Sequence, residues 1–363
     1  MTRSHLVISA VNIIEGGTLT VLRECLKAAS RDLSQSWDIT AIVHRAALIG
    51  VPGITYIERP EIKCSWFSRI WFEYVECRQL SRQLKPDFWL SMHDMSPRVV
   101  SPHQAVYCHN AMCFYRMSWR ELRLDPKLML FSLFYGLLYR INLHANDAVI
   151  VQQDWMRTVF EQQYGCKQVI VAYPVLDASE LSKKGKQQGL RFFYPSFPRV
   201  FKNFETLLEA WAELEKDTSW HGELTVTVDG SENSYSHELI KRFGHLRRVR
   251  FVGRLSHEVV HETYKNTDCL VFPSRLETWG MPLTEAKQYG LAIICADLPY
   301  AHEAIASYDG VSFFSPQDAS ELARQLRAFS EGQLPLQKTQ ELAIKKPYAQ
   351  DWSDLLEFLL GSR

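Results

Sequence analysis

The chain lacks most of what marks a specialised protein class. Neither sign of charge is in excess: 41 lysines and arginines balance 41 aspartates and glutamates over 363 residues. A nucleic-acid binder usually carries a basic surplus to neutralise phosphates, so no nucleic-acid partner is expected. None of the eight cysteines forms a C-x-x-C pair. A disulfide framework and a structural zinc site are therefore not expected. No apolar run reaches the roughly 18 residues of a membrane span. The N-terminal run from Leu6 to Val11 is too short for a signal-peptide core and is broken by Asn12. These absences predict a cytosolic, reducing location. There is no low-complexity tract, no repeat at a period of roughly 20–50 residues, and no G-x-G-x-x-G fingerprint to support a nicotinamide or flavin cofactor.

What is present is an ordinary globular composition, 46% hydrophobic and 23% charged, which excludes wholesale disorder. The length suits two domains of roughly 150–200 residues. Short apolar, β-branched runs alternate with stretches of helical spacing. Strands are predicted at Leu6 to Ala10, Ile39 to Val43, Phe88 to Met92, Gln104 to Cys108, Ala148 to Gln152 and Val169 to Tyr173. Helices are predicted from Thr18, as N-cap, through Ala29, from Trp66 to Leu84, and from Asp154 to Tyr164. A polar stretch at 176–190 reads as a linker. The alternation then resumes with Phe192 to Ser196, a helix over 204–216, and the runs LTVTV, VRFVG, CLVFP and AIICA. This pattern predicts an α/β protein of two doubly wound, Rossmann-like domains, 1–175 and 191–346, with a cleft between them. The remaining residues, 347–363, read as a terminal helix opened by Pro347, which returns to one of the domains.

Four segments carry the candidate chemistry. In FPSRLETWGMPLTEAKQYG, Phe272 to Gly290, Pro282 suits a first helical turn and Gly290 a helix end. Glu277 is expected in the loop and Glu285 in the first turn, both carboxylates facing the helix N-terminus. The free N–H groups there favour a phosphate, and Gly280 allows close approach. In FYPSFPRVFKNFETLLEAW, Phe193 to Trp211, Arg199 and Lys202 lie in a strand-to-helix turn, where two cations suit a diphosphate. Gly16 and Gly17 sit between the first strand and helix. His93, Asp94 and His109 each follow a strand-like run. A fifth segment, Asp125 to Asn142, is unusually apolar, with Arg116, Arg120, Arg123, Lys127 and Arg140 in or beside it. It suits shallow contact with anionic lipid; the alternative is a buried core helix.

Together these residues resemble the retaining glycosyltransferases of family 4, which have the two-domain fold called GT-B. The resemblance rests on ETWGMPLTE, two glutamates with seven residues between them, preceded by CLVFP and followed by AIICA. It extends over nearly the whole chain through ISAVNIIEGG, YCHN, FYPSFPRVFKN and VRFVGRLS. The closest likeness is to the sugar transferases of enterobacterial O-antigen clusters. It implies the transfer of a hexose, with UDP-glucose the first guess, from a nucleotide-diphosphate sugar to a polyprenyl-diphosphate-linked glycan. Transfer would retain the anomeric configuration and take place at the inner face of the cytoplasmic membrane. Glu277 would contact the donor sugar, Glu285 the ribose, and Arg199 and Lys202 the diphosphate. Trp279, Gly280 and Met281 would bring the loop backbone against the donor, while Gly253 and Arg254 border the base. Gly16 and Gly17 would line the phosphates or acceptor. His109, with Asp94, would sit near the reacting sugar, and Asn110, Arg116, Arg120 and Arg123 on the acceptor or membrane side. The family's usual arginine, five residues before the motif lysine, is Phe197 here. No D-x-D pair is present to hold a divalent ion, so neither metal nor cofactor is expected, and cations with a helix dipole would meet the leaving charge. Other readings of the same scaffold are a nucleotide-sugar epimerase or hydrolase, or a non-catalytic scaffold of a polysaccharide assembly complex.

Overall fold

The structure, a computed structural model, describes residues 3–174 and 189–361. Most of the expected linker, 176–188, lies outside the described residues. The first half of the chain supplies strands β1 (Ser4–Ala10), β2 (Trp37–Val43), β3 (Thr55–Glu58), β4 (Phe88–Ser91), β5 (His103–Cys108), β6 (Ala148–Val151) and β7 (Val169–Ala172). Its helices are α1 (Gly16–Leu33), α2 (Trp66–Trp71), α3 (Cys77–Leu84), α4 (Trp119–Leu124), α5 (Pro126–Arg140) and α6 (Asp154–Tyr164). The second half supplies β8 (Arg191–Tyr194), β9 (Glu223–Val226), β10 (Val249–Phe251), β11 (Cys269–Phe272), β12 (Ala292–Ala296) and β13 (Val311–Phe314). With them come α7 (Phe204–Leu214), α8 (Ser234–Phe243), α9 (His257–Lys265), α10 (Met281–Gln288), α11 (Pro299–Ile305) and α12 (Ala319–Ser330). The chain ends with β14 (Tyr348–Ala349) and α13 (Trp352–Leu360).

Among the described residues these strands form two sheets. One has eight strands in the order β14-β7-β6-β5-β4-β1-β2-β3, the other six in the order β10-β9-β8-β11-β12-β13. Neighbouring strands are parallel throughout. Such strands are covered on both faces by helices, which is why β4, β6, β7 and β11 read as uninterrupted apolar runs. In each sheet the winding reverses once, between β1 and β4 in the first and between β8 and β11 in the second. Ligands of such sheets bind beyond the carboxyl ends of the strands at that reversal. The loops found there are the ones that carry Gly16, His93 and Asp94 in one sheet, and Lys202 and Glu277 in the other.

Two compact units result. The first holds the described residues of Met1–Cys113, Leu133–Leu176 and Ile344–Arg363, the second those of Phe114–Ser132 and Asp177–Ala343. Segment 114–132 thus differs from the expected 1–175 boundary. Its Glu121 pairs with Arg275 at 2.6 Å, and Asp125 with Arg199 at 3.1 Å, and these contacts hold it in the second unit.

Several local expectations are corrected. Helix α1 starts at Gly16 with Glu15 as N-cap, ahead of Thr18, because Gly16 takes a left-handed φ of 68° that turns the chain into the helix. The expected helix from Trp66 to Leu84 contains a π-helical turn over Phe72–Glu76. Pro347 does not open the terminal helix. The two residues after it pair with β7, and Asp351 caps α13, its side chain accepting from the Asp354 N–H.

Candidate functional site

In the second unit, the turn after β8 brings Lys202 to Glu277, with Nζ 2.5 Å from Oε1 and side chains only 18% and 12% exposed. The folding of two loops against each other explains the meeting. Asn203, left-handed at φ 59°, donates from its side chain to the carbonyls of Pro273 (3.0 Å) and Pro316 (2.8 Å). The Arg275 N–H donates to the Phe201 carbonyl at 2.7 Å, and the Tyr194 hydroxyl donates to the Lys202 carbonyl at 2.8 Å. The turn after β8 is thereby stitched to the loop after β11.

Helix α10 begins immediately after Gly280, whose φ of 85° is one that side-chain-bearing residues rarely adopt. A Cβ there would also approach Leu283 Cδ1 to 3.2 Å. This start makes Glu285 the fifth helical residue, one turn later than expected. Its carboxylate accepts from the Tyr264 hydroxyl at 2.9 Å. Burial raises the Glu285 pKa, and the Tyr264 bond works against that rise. The Glu277 carboxylate is engaged by Lys202, and its Cγ would lie 3.7 Å from a Cβ on Gly280, beside the start of α10. Trp279 is buried, its indole N–H donating to Thr284 Oγ1 at 2.8 Å, so it braces the loop from beneath. Met281 is the first residue of α10.

Arg199 does not join Lys202 and Glu277. Its guanidinium pairs with Asp125 and lies over the Phe197 ring, 5.3 Å from the centroid. Phe197 occupies the position of the family's usual arginine, and here it serves as a platform for Arg199. Gly253, left-handed at φ 66°, follows β10 at the same edge of the sheet. That φ favours glycine, and a Cβ there would also push the exposed Asp229 carboxylate, 2.4 Å away, aside. Arg254 beside it is exposed. Arg116, Arg120 and Arg123 are exposed on and just before α4, while Glu121 and Asp125 are buried and paired.

In the first unit, Asp94 (φ 70°) is buried, and its carboxylate is held by neighbouring donors. It accepts from the N–H groups of His109 (2.5 Å) and Asn110 (2.9 Å) and from the hydroxyls of Tyr135 (3.1 Å) and Tyr139 (3.2 Å), the last shared with the Asn110 carbonyl at 2.8 Å. Asp94 therefore positions the loop that carries His109 and Asn110. The His109 ring stacks at a tilt on Tyr107, centroids 4.6 Å apart, and burial lowers its pKa, favouring the neutral imidazole. Asn110 folds its side chain back to accept from the Met112 N–H at 2.8 Å. Gly16 faces open space, so φ alone requires glycine there. Gly17 follows in the first turn of α1.

Sequence reasoning missed a buried cluster beside this loop. Arg69 on α2 pairs with Glu73 at 2.9 Å, His93 Nδ1 lies 3.5 Å from Glu73, and Ser9 Oγ hydrogen-bonds His93 Nε2 at 3.2 Å. Burial pushes the Glu73 carboxyl up to about 7, with Arg69 opposing, and holds His93 well below its ordinary value. The available signal was an Arg–Glu pair at i, i+4 within the aromatic run WFSRIWFEY. Asn203, Tyr264 and Arg275 were also missed. His257 and His261, in the pattern H-E-V-V-H on α9, bring their Nε2 atoms to 3.0 Å. Among the described residues no group of three or more His, Cys, Asp or Glu could hold a metal ion.

Comparison with known proteins fits this geometry. Residues 177–346 match the family described as glycosyl transferases group 1. The amylovoran biosynthesis glycosyltransferase AmsD of Erwinia amylovora is 30% identical over 166 residues, 43% of this chain and 44% of that one. The matches span less than half the length of these curated relatives. Sucrose-phosphate synthase from Thermosynechococcus elongatus superposes with a TM-score of 0.66 at 15% identity, over 92% of this chain and 91% of that one. Anabaena HepE, solved with UDP and glucose, superposes with a TM-score of 0.64 at 14% identity, over 98% and 95%. At these identities the likeness is one of fold, and the fold is GT-B.

Proposed function

From a GT-B chain whose residues 177–346 match the glycosyl transferases group 1 family, we propose a glycosyltransferase. It moves a hexose, with retention, from a nucleotide-diphosphate sugar to a polyprenyl-diphosphate-linked glycan in surface polysaccharide synthesis. UDP-glucose is the first donor to try. The observation that carries the reading is the Lys202–Glu277 pair at the winding reversal of the second sheet. An ammonium and a carboxylate locked together, with little exposure, are poised to part for a ligand that presents phosphate to one and hydroxyls to the other.

In this mechanism the Lys202 ammonium turns to the donor diphosphate. The freed Glu277 carboxylate accepts from sugar hydroxyls and stabilises the oxocarbenium-like centre. The leaving diphosphate develops negative charge as the glycosidic bond breaks. Lys202 and the positive end of the α10 dipole are in place before that charge appears, which is what makes such stabilisation effective. Losing one such group commonly costs about 3 kcal/mol in the transition state. The acceptor hydroxyl attacks from the face the phosphate leaves, and a phosphate oxygen takes its proton. Glu285, set by Tyr264, holds the ribose. Neutral His109, in the first unit, receives or donates a hydrogen bond at the acceptor. Because Lys202 and the helix dipole meet the leaving charge, the proposal requires neither metal nor cofactor. No helix among the described residues is long and apolar enough to cross a membrane, and we place the protein peripherally at the inner face of the cytoplasmic membrane.

The test is incubation with a panel of UDP- and GDP-hexoses and a polyprenyl-diphosphate oligosaccharide, with NMR of the product linkage. An α-linked product from an α-linked donor is expected. A β-linked product contradicts retention. Sugar release that proceeds equally fast without acceptor makes the protein a hydrolase.

A further inference from the structure

The exposed large apolar side chains of the first unit are concentrated on two neighbouring helices. On α2 they are Trp66 (51% exposed), Phe67 (77%), Ile70 (40%) and Trp71 (51%). On and just after α5 they are Phe134 (63%), Leu137 (58%) and Ile141 (46%). The spacing 134, 137, 141 puts the latter on one helical face. The two helices are side by side, since the Trp66 ring meets Tyr135 edge-on with centroids 6.0 Å apart. A monomer seldom leaves so many large apolar side chains together without a use for them.

The exposed charges flanking this surface are mostly basic. Lys63, Arg98 and Arg140 are exposed. Lys63 precedes α2 by three residues. The Arg98 N–H donates to the Glu73 carbonyl just after α2, and Asn142, just after α5, donates to the neighbouring Pro97 carbonyl. Glu61 is exposed 3.9 Å from Arg59, and Glu73 is buried against Arg69. Tryptophan and phenylalanine with a cationic rim are the side chains that sit well at a lipid interface. A two-fold contact between copies of this face would bring like charges together.

We propose that α2 and the 134–141 stretch form a shallow docking surface for a bilayer containing anionic lipid. Its purpose rests on the transferase reading, but its physics does not. The same helices reach inward to the candidate chemistry. Tyr135 and Tyr139, on the other side of α5, donate to Asp94, which holds the His109 and Asn110 N–H groups. Arg69 on α2 donates to the His93 carbonyl at 3.3 Å. Docking therefore fixes the His109 loop relative to the lipid surface that would bear the acceptor.

The test is co-sedimentation of the full chain with vesicles of phosphatidylcholine alone and of phosphatidylcholine mixed with phosphatidylglycerol, alongside calorimetric nucleotide binding. Wild type should bind the mixed vesicles, and less so at high salt. Phe67→Ser with Trp71→Ser should weaken that binding about tenfold or more, because two large apolar side chains no longer leave water. Lys63→Glu with Arg98→Glu should weaken it on mixed vesicles only. These exposed substitutions should leave the melting temperature and nucleotide affinity unchanged. If wild type binds neither vesicle, or the apolar double variant binds as well as wild type, the dock is wrong. If wild type self-associates, ignores vesicles and becomes monomeric in that variant, the face is a self-contact and the proposal is overturned. Vesicle binding without nucleotide binding would instead count against the transferase reading and leave the dock standing.

Discussion

Lys202→Met leaves the Glu277 carboxylate 12% exposed and without the ammonium now 2.5 Å away. Removing one partner of a fully buried ion pair costs roughly 3–5 kcal/mol. Residual solvent at both groups reduces this, and a loss of about 1–3 kcal/mol is expected from urea unfolding. Glu277→Gln should cost less, because the amide oxygen still accepts from Lys202. In the double variant no unpaired charge remains, so much of the stability should return. Activity should behave oppositely. Each single variant loses a group that stabilises developing charge, so turnover should fall about 100- to 1,000-fold. The double variant should stay at or below the poorer single. The assay is release of nucleoside diphosphate from whichever nucleotide sugar of the panel turns over fastest, read with the unfolding curves. If the double variant regains turnover along with stability, the pair is a structural clasp. If Lys202→Met turns over at the wild-type rate, the diphosphate assignment is wrong.

Three further outcomes are expected. Glu285→Ala should weaken nucleotide affinity while Glu277→Ala mainly lowers turnover; identical effects in calorimetry and kinetics would refute their separate roles. Glu73, raised from 4.5 to about 7 by burial, keeps its proton in the folded state where the unfolded chain has lost it. Its contribution is therefore full below the ordinary carboxylate range and is lost as pH rises through about 7. Urea unfolding should show wild type losing up to about 3 kcal/mol relative to Glu73→Gln across that window, and parallel pH profiles would contradict the burial argument. Asp94→Asn and Tyr139→Phe should show a coupling of about 1 kcal/mol or more in a double-mutant cycle, and additive losses would mean that the hydroxyl does not hold the carboxylate.

Much of the fold was legible because parallel strands buried on both faces leave continuous apolar runs, as CLVF and AVIV do. Strand β3 was not, since TYIE is only partly buried at a sheet edge, and β14 is two residues long beside a proline. The approach of Lys202 to Glu277 was foreshadowed by strand-to-turn spacing at two places in one domain. What held them together was not foreshadowed, because Asn203 acts through backbone carbonyls 70 and 113 residues away. Asp94 stood out beside two histidines, but the hydroxyls that help hold its carboxylate come from 41 and 45 residues downstream and were not legible. Periodicity registered the apolar character of α5 and could not say that its tyrosines turn inward while Phe134 and Leu137 face water. The basic flank expected near the membrane divides as well, with Arg116, Arg120 and Arg123 in the second unit and the apolar surface in the first.

The claim on which the rest depends is that the loops after β8 and β11 hold a nucleoside diphosphate. Calorimetric titration of wild type and Lys202→Met with UDP, GDP and the corresponding monophosphates tests it most directly. The expected result is a clear preference of wild type for one diphosphate over its monophosphate, with that preference abolished in Lys202→Met. Equal affinity of the two proteins for the diphosphate, or no nucleotide binding by wild type, would contradict the account.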